Sequence, residues 1–375
     1  MNKFKPLGFK KEKMLERMNQ NNLSVVLLSS PENVFYTTGY TGLPSSGNPI
    51  LYTLRNHLPY FSFIDNTGDV TLICWDFSVE GVEFGDDRVI GITSFNDAQK
   101  CIERELKDKP NGKGTIGIES SCPYYITRII QNNIGQVKVS IVDSILNQMR
   151  LIKSKEEIKR LKKSTEITEK TISELYDEMY IGMSRLELIS KAKSRLIRNG
   201  AMGISHVTIS FGEANPEIAI GEELHKDRLV TLDLGGILDG YASDNRRYAY
   251  TGRVPDEVAE QYSIMTSIVD KVGAALVSRK RYSDVFKVAL DLYKKNKVEP
   301  LDRMNHVGHN MGLETEEEWI DNDSERRIKE DMVINIELYT KTFQGFQIGN
   351  EETYVIRKDG SEQISSLPRE IRVIK

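Results

Sequence analysis

Only five histidines and three cysteines are scattered through 375 residues. The cysteines, Cys74, Cys101 and Cys122, are odd in number and lack metal-ligand spacing. That excludes a disulfide scaffold or a thiolate metal site and predicts reduced thiols in a cytoplasmic protein. With so few imidazoles, any metal centre must lean on carboxylates, which favours hard or borderline ions. No stretch approaches the roughly 20 apolar residues of a membrane span. The opening MNKFKPLGFKKEKMLERMNQNN is basic but has no apolar centre, so it does not read as a secretory signal. A formal net charge of −4 gives no reason to expect nucleic acid or an anionic membrane as partner. The first roughly 145 residues also lack a glycine-rich phosphate loop.

What is present is an ordinary globular composition, 28% charged and 39% hydrophobic, in a chain long for a single core. Two domains are expected, 1–148 and 149–375. In the first, strands such as Leu23–Ser30 alternate with helical patches and a hairpin turns at Asn66-Thr67-Gly68, an α/β pattern that groups no acids or histidines. The second opens on helical texture from Leu146 to Met179, with an apolar stripe through Leu151, Ile158, Leu161, Ile167, Ile172 and Leu175. Another helix follows, with Ser184 and Glu187 at capping-box spacing. Helix pairs then alternate with antiparallel hairpins.

The segment LVTLDLGGILDGYASDNRRYAYTG, Leu229 to Gly252, organises the second domain. Asp239-Gly240 predicts a two-residue type I′ turn. Counting back from it, Leu238 faces Tyr241, Gly235 faces Asp244 and Asp233 faces Arg246. Asp233 and Asp244 then lie diagonally on one face, about 5–8 Å apart at Cβ. Two carboxylates that close repel unless positive charge lies between them, and a divalent metal or a pair of them would supply it. Aspartates near turns are commonly solvated, as Asp239 is expected to be, but Asp233 lies in an apolar run. Three further positions stand out chemically. His309 sits between the glycines of GHNMG, Glu337 interrupts the apolar strand Met332–Tyr339, and Glu351 opens EETYVI. Singly, each has an ordinary structural alternative.

Taken in order, these five positions resemble the pita-bread metallopeptidase family, in its aminopeptidase P and prolidase branch. DLGGILDGYASDNRR, GHNMGLE, MVINIEL and NEETYVI carry the likeness, and SSPENVFYTTGYTG resembles that branch's creatinase-like N-terminal domain. The resemblance implies an α+β fold, a pita-bread catalytic domain preceded by a smaller α/β domain. It also implies two divalent ions (manganese, cobalt or zinc) held by Asp233, Asp244, His309, Glu337 and Glu351, with Asp244 and Glu351 bridging. The implied activity is hydrolysis of a small Xaa-Pro peptide by a metal-bridging hydroxide, with Glu337 as proton carrier. A cytoplasmic homodimer is implied as well.

The departures bear on specificity. The family's accessory histidines align with Ile220, with Asn305 (whose neighbour is His306) and with Glu316. A family arginine is replaced by Gly349, and a small hydroxyl residue by Arg246. Ile220, Asn305, His306 and Arg246 are therefore expected to meet substrate, and Glu316 to join Glu337 in catalysis. The sequence leaves open whether Arg246 turns inward or a bulge turns it out. Two alternatives follow from the same changes, a creatinase-like hydrolysis of a non-peptide C–N bond and a binding homologue without catalysis.

Overall fold

The computed structural model describes residues 3–80, 83–84, 88–107, 114–133, 137–212, 222–301, 304–340 and 347–375. The chain divides into two compact units, Met1–Arg150 and Leu151–Lys375. All three cysteines are free.

In the first unit a six-stranded sheet runs in the order Arg88–Ile92, Val70–Trp75, Phe61–Asp65, Leu23–Leu28, Thr115–Ile118, Lys138–Ile141. Phe61–Asp65 is antiparallel to both neighbours, and the other pairings are parallel. Alternation along the strands splits the apolar residues between two faces. Val25, Leu27, Phe61, Phe63, Ile73 and Ile116 form one buried cluster with residues of the helices Phe95–Lys107 and Tyr124–Asn133. Val34, Tyr40, Tyr60, Leu72 and Cys74 form another.

The second unit contains two antiparallel-rich sheets, each with a helix pair. In one, Leu229–Leu238 pairs with Gly203–Ser210, Tyr241–Ala242 and Asn245–Thr251, and the last of these with Arg372–Ile374. The helices Lys155–Glu178 and Arg185–Arg198 pack on this sheet. In the other the order is Glu318–Asp321, His306–Asn310, Val333–Tyr339, Gly349–Arg357, Gly360–Gln363, antiparallel throughout. It carries the helices Asp256–Ala274 and Tyr282–Asn296. Met265, Ile268, Val272, Phe286, Ile334 and Ile336 belong to the core between them.

The helical texture from Leu146 to Met179 is not one helix. It stops at Arg150 and restarts at Lys155, because Ser154 caps the new helix and Glu157 returns a bond to the Ser154 N–H. This reciprocal cap satisfies two end donors that a continuous helix would not expose. Lys153, in the gap, forms a buried ion pair with Glu317, Nζ to Oε2 at 2.5 Å. Ser184 caps Arg185–Arg198 as its spacing predicts. Among the described residues, no helix is long and apolar enough to cross a membrane.

Candidate metal centre

The turn at Asp239-Gly240 has positive φ at both residues, 48° and 88°, the backbone that a type I′ hairpin demands. Register follows from it. Leu238 pairs with Tyr241, and Asp233 pairs with Arg246. On the other sheet Glu337 pairs with Glu351, and His309 with Asn335 two residues earlier. Directly opposed residues share a face, as do residues two apart on a strand, so His309, Glu337 and Glu351 project together.

Two groups of donor atoms result. His206, Asp233 and Asp244 each present one ligand-type atom within 4.8 Å of one another, and so do Asp244, His309 and Glu351. Asp244 belongs to both. Asp233, Asp244, His309 and Glu351 are all buried, with His309 fully so. Glu337 lies at the edge, its Oε1 3.9 Å from His309 Nε2 and its Oε2 accepting from the Tyr339 hydroxyl at 2.9 Å.

The electrostatics are those of packed acids. Burial, then the charges of Asp244 and Asp233, push the Glu351 carboxyl well above its ordinary range. Burial opposes ionisation of Asp244 too, yet His206 and His309 hold it well below the usual value. For Asp233 the burial penalty is outweighed by the Arg246 guanidinium and then His206, and its pKa is lowered. Burial disfavours charge on His309, but the Asp244 and Glu337 carboxylates raise its pKa to about 9. Neither ring nitrogen of His309 has a hydrogen-bond partner among the described residues. A buried imidazole with idle nitrogens, facing carboxylates that must otherwise protonate, is a donor set that fits divalent cations.

Arg246 turns inward. Its Nε donates to Asp233 Oδ2 at 3.0 Å, and Nη2 contacts the same oxygen. Its guanidinium carbon lies 4.2 Å from the centroid of the Tyr339 ring. Gly349, the strand partner of Tyr339, makes this possible, since a Cβ there would collide with Tyr339 Cδ1 and the Leu338 carbonyl.

Asn305 and His306 line a cavity of about 280 Å³ with Trp319, Glu337 and Tyr339. The His306 ring lies 3.9 Å from that of Trp319, centroid to centroid, and burial lowers its pKa. Glu316 is exposed and makes no hydrogen bond among the described residues. Partial burial, then the opposing influence of His309 and the charge of Glu337, leave its pKa raised. Ile220 lies outside the described residues.

His206 was not singled out by the sequence. It approaches from Gly203–Ser210, with Nε2 3.1 Å from Asp233 Oδ1 and 3.2 Å from Asp244 Oδ1. The only local signal is a histidine opening the β-prone run HVTISFG, and nothing in that run sets its register against Leu229–Leu238.

The model of metallopeptidase family M24 matches residues 159–358, and that of the creatinase/prolidase N-terminal domain matches residues 10–152. A Xaa-Pro dipeptidase of Pyrococcus horikoshii is 27% identical, with 96% of this chain and 98% of the relative covered. A Xaa-Pro dipeptidase of Pyrococcus furiosus is 25% identical over 96% and 98%. Among solved structures, a prolidase from Pyrococcus horikoshii OT3 superposes with a TM-score of 0.82 at 23% identity, covering 96% of this chain and 99% of the other. A prolidase from Thermococcus sibiricus gives 0.84 at 20% identity over 97% and 98%.

Proposed function

The chain belongs to metallopeptidase family M24, and from that premise we propose that it hydrolyses small Xaa-Pro peptides with two divalent ions held by Asp233, Asp244, His309, Glu337 and Glu351. The family implies divalent metal ions. The observation that carries the reading is the shared position of Asp244, one carboxylate common to two donor groups. Oxygen donors with one or two imidazoles suit manganese, cobalt or zinc.

Bound divalent ions supply Lewis acidity, polarising the scissile carbonyl and making water a usable nucleophile near neutral pH. The chain's own residues do the rest. The Tyr339 hydroxyl occupies Glu337 Oε2, which leaves Oε1 as the atom that takes a proton and passes it to the departing amine. Trp319 and Tyr339 give the cavity beside Glu337 aromatic walls suited to a proline ring. Asn305 and His306 offer polar contacts on the same wall, orienting the peptide against Glu337. Glu316, its pKa raised by partial burial, stands at the rim as a second carboxyl beside Glu337 to steady the leaving group. Arg246 keeps Asp233 ionised and fixed. Ile220 is kept as an apolar substrate contact, and a cytoplasmic homodimer is part of the same proposal, to be checked by light scattering.

The test is turnover by protein stripped with chelator and reloaded with manganese, cobalt or zinc. Metal-dependent release of proline from Xaa-Pro dipeptides is expected. Binding of metal without cleavage of any Xaa-Pro dipeptide or tripeptide would leave the second reading, hydrolysis of a non-peptide C–N bond. That alternative is favoured by one observation, the guanidinium of Arg246 on a carboxylate proposed to face metal.

A further inference from the structure

We infer that His206 is a sixth ligand of the metal centre, an imidazole donor to the ion held between Asp233 and Asp244. The inference rests on the dinuclear reading above and deepens it.

Three observations carry it. First, His206 Nε2 lies 3.1 Å from Asp233 Oδ1 and 3.2 Å from Asp244 Oδ1, so one nitrogen and two oxygens, from two paired strands and the residue just before a third, aim at one point. Second, the strand opposite His206 is hollowed for it. Register pairs His206 with Gly235, and a Cβ there would stand 2.6 Å from His206 Cε1, 2.7 Å from Nδ1 and 2.5 Å from the Ser243 carbonyl. The imidazole crosses the strand through the place a side chain would fill. Third, Asp233 has one oxygen engaged already. Arg246 takes Oδ2 through two nitrogens, leaving Oδ1, the oxygen that His206 Nε2 meets, as the donor atom on the metal side. A carboxylate limited to one oxygen leaves its ion short of a ligand, and the imidazole restores the count. His206 Nδ1, 3.2 Å from the Ser205 hydroxyl, has an outer partner able to fix the ring and leave Nε2 for the metal.

The donor set differs accordingly at the two positions. One draws on His309 and Glu337, the other on His206, with Asp244 and Glu351 between them. Each ion then has one nitrogen, which moves both away from the all-oxygen preference of magnesium and calcium.

The experiment uses the full chain, apo and reloaded with cobalt(II), comparing wild type, His206→Ala and His306→Ala. Metal content is read by mass spectrometry and titration calorimetry, and ligation by the contact-shifted imidazole N–H resonances of histidine-labelled protein. Two bound ions and two such resonances are expected in wild type and in His306→Ala. His206→Ala should lose one resonance and bind its weaker ion at least 10–100-fold less tightly, about the loss that follows removal of an outer-shell partner alone. The wild-type spectrum decides the matter even if the alanine variant folds poorly. Two ions held equally well by His206→Ala, or one shifted imidazole in doubly loaded wild type, overturn the inference and leave the peptidase reading intact. One ion only in wild type, with His206 unshifted, also overturns it and shows that His206 and Arg246 fill the second position themselves. No ion at all overturns the peptidase reading, and this inference with it.

Discussion

Arg246 holds Asp233 from directly across the hairpin, with Nε 3.0 Å from Oδ2 and the two residues paired in register. Both side chains are largely buried. A buried pair broken from one side leaves an uncompensated charge that costs about 3–5 kcal/mol. Arg246→Met keeps the packing against Tyr339 and removes the charge, so the metal-free protein should melt markedly lower. The stabilisation gained on adding metal should grow, because a cation no longer competes for Asp233. Thermal melts with and without cobalt measure both, and an unchanged metal-induced shift counts against Arg246 as competitor.

Metal loading should release protons. His309 is raised to about 9 in the metal-free fold, so it carries a proton near neutrality, and the Glu351 carboxyl is pushed the same way, well above its ordinary range. For His309 the sign is clear. Its raised pKa stabilises the fold fully below the unfolded value near 6.5, and that contribution disappears as pH rises through about 9. The raised Glu351 carboxyl acts in the same direction, from the ordinary carboxyl range upward. Metal-free protein should therefore lose stability between pH 5 and about 9 while metal affinity rises over that window. Calorimetry in buffers of different ionisation enthalpy counts the released protons. A count of zero at pH 7 contradicts the assignment of His309.

Glu337→Gln removes a proposed metal donor and the proposed proton carrier together. A fall of about 10²–10⁴-fold in kcat is expected, the range associated with general acid–base work. Near-native circular dichroism must accompany it for the result to bear on chemistry.

Tyr339→Phe isolates the orienting bond to Glu337 Oε2. The ring stays to pack against Arg246, so stability should change by only about 0.5–1.5 kcal/mol, the net value of one hydrogen bond. Turnover should fall roughly tenfold, a loss of about 1.4 kcal/mol in transition-state stabilisation, with KM little altered. A rise in KM at constant kcat would move Tyr339 from orienting Glu337 to binding substrate.

Lys153→Met offers a test of the fold's stability. Lys153 and Glu317 are almost fully buried, at 1% and 4% exposure. Removing the lysine should destabilise the protein by about 3–5 kcal/mol. Lys153→Met with Glu317→Leu should recover most of that in urea melts.

How much of this was legible in the sequence depends on how local each cause is. The Asp233–Arg246 pairing could be counted outward from Asp239-Gly240, because a two-residue turn leaves register no freedom. The break before Lys155 was written in Ser154 and Glu157, but the apolar stripe runs across it and obscures it. His309, Glu337 and Glu351 came with the family resemblance, since no local pattern joins residues that far apart. His206 escaped because its strand lies about twenty residues before Leu229–Leu238, with no turn signal to fix their register and a bulge at Gly235/Gly236 that no count along the chain anticipates. The orientation of Arg246 was open for a related reason. Its resting place is the face of Tyr339, on a strand of the other sheet.

That resting place constrains how the site can change. Where the resemblance implies an arginine, Gly349 lets the Tyr339 ring lie across the gap, and the positive charge has moved to the opposite sheet. Returning the guanidinium to position 349 requires a smaller residue at 339 and a neutral one at 246 in the same step. Each single reversal passes through a steric clash or a stranded carboxylate. The three residues form a ratchet, and moving the positive charge back across the site requires all three to change together.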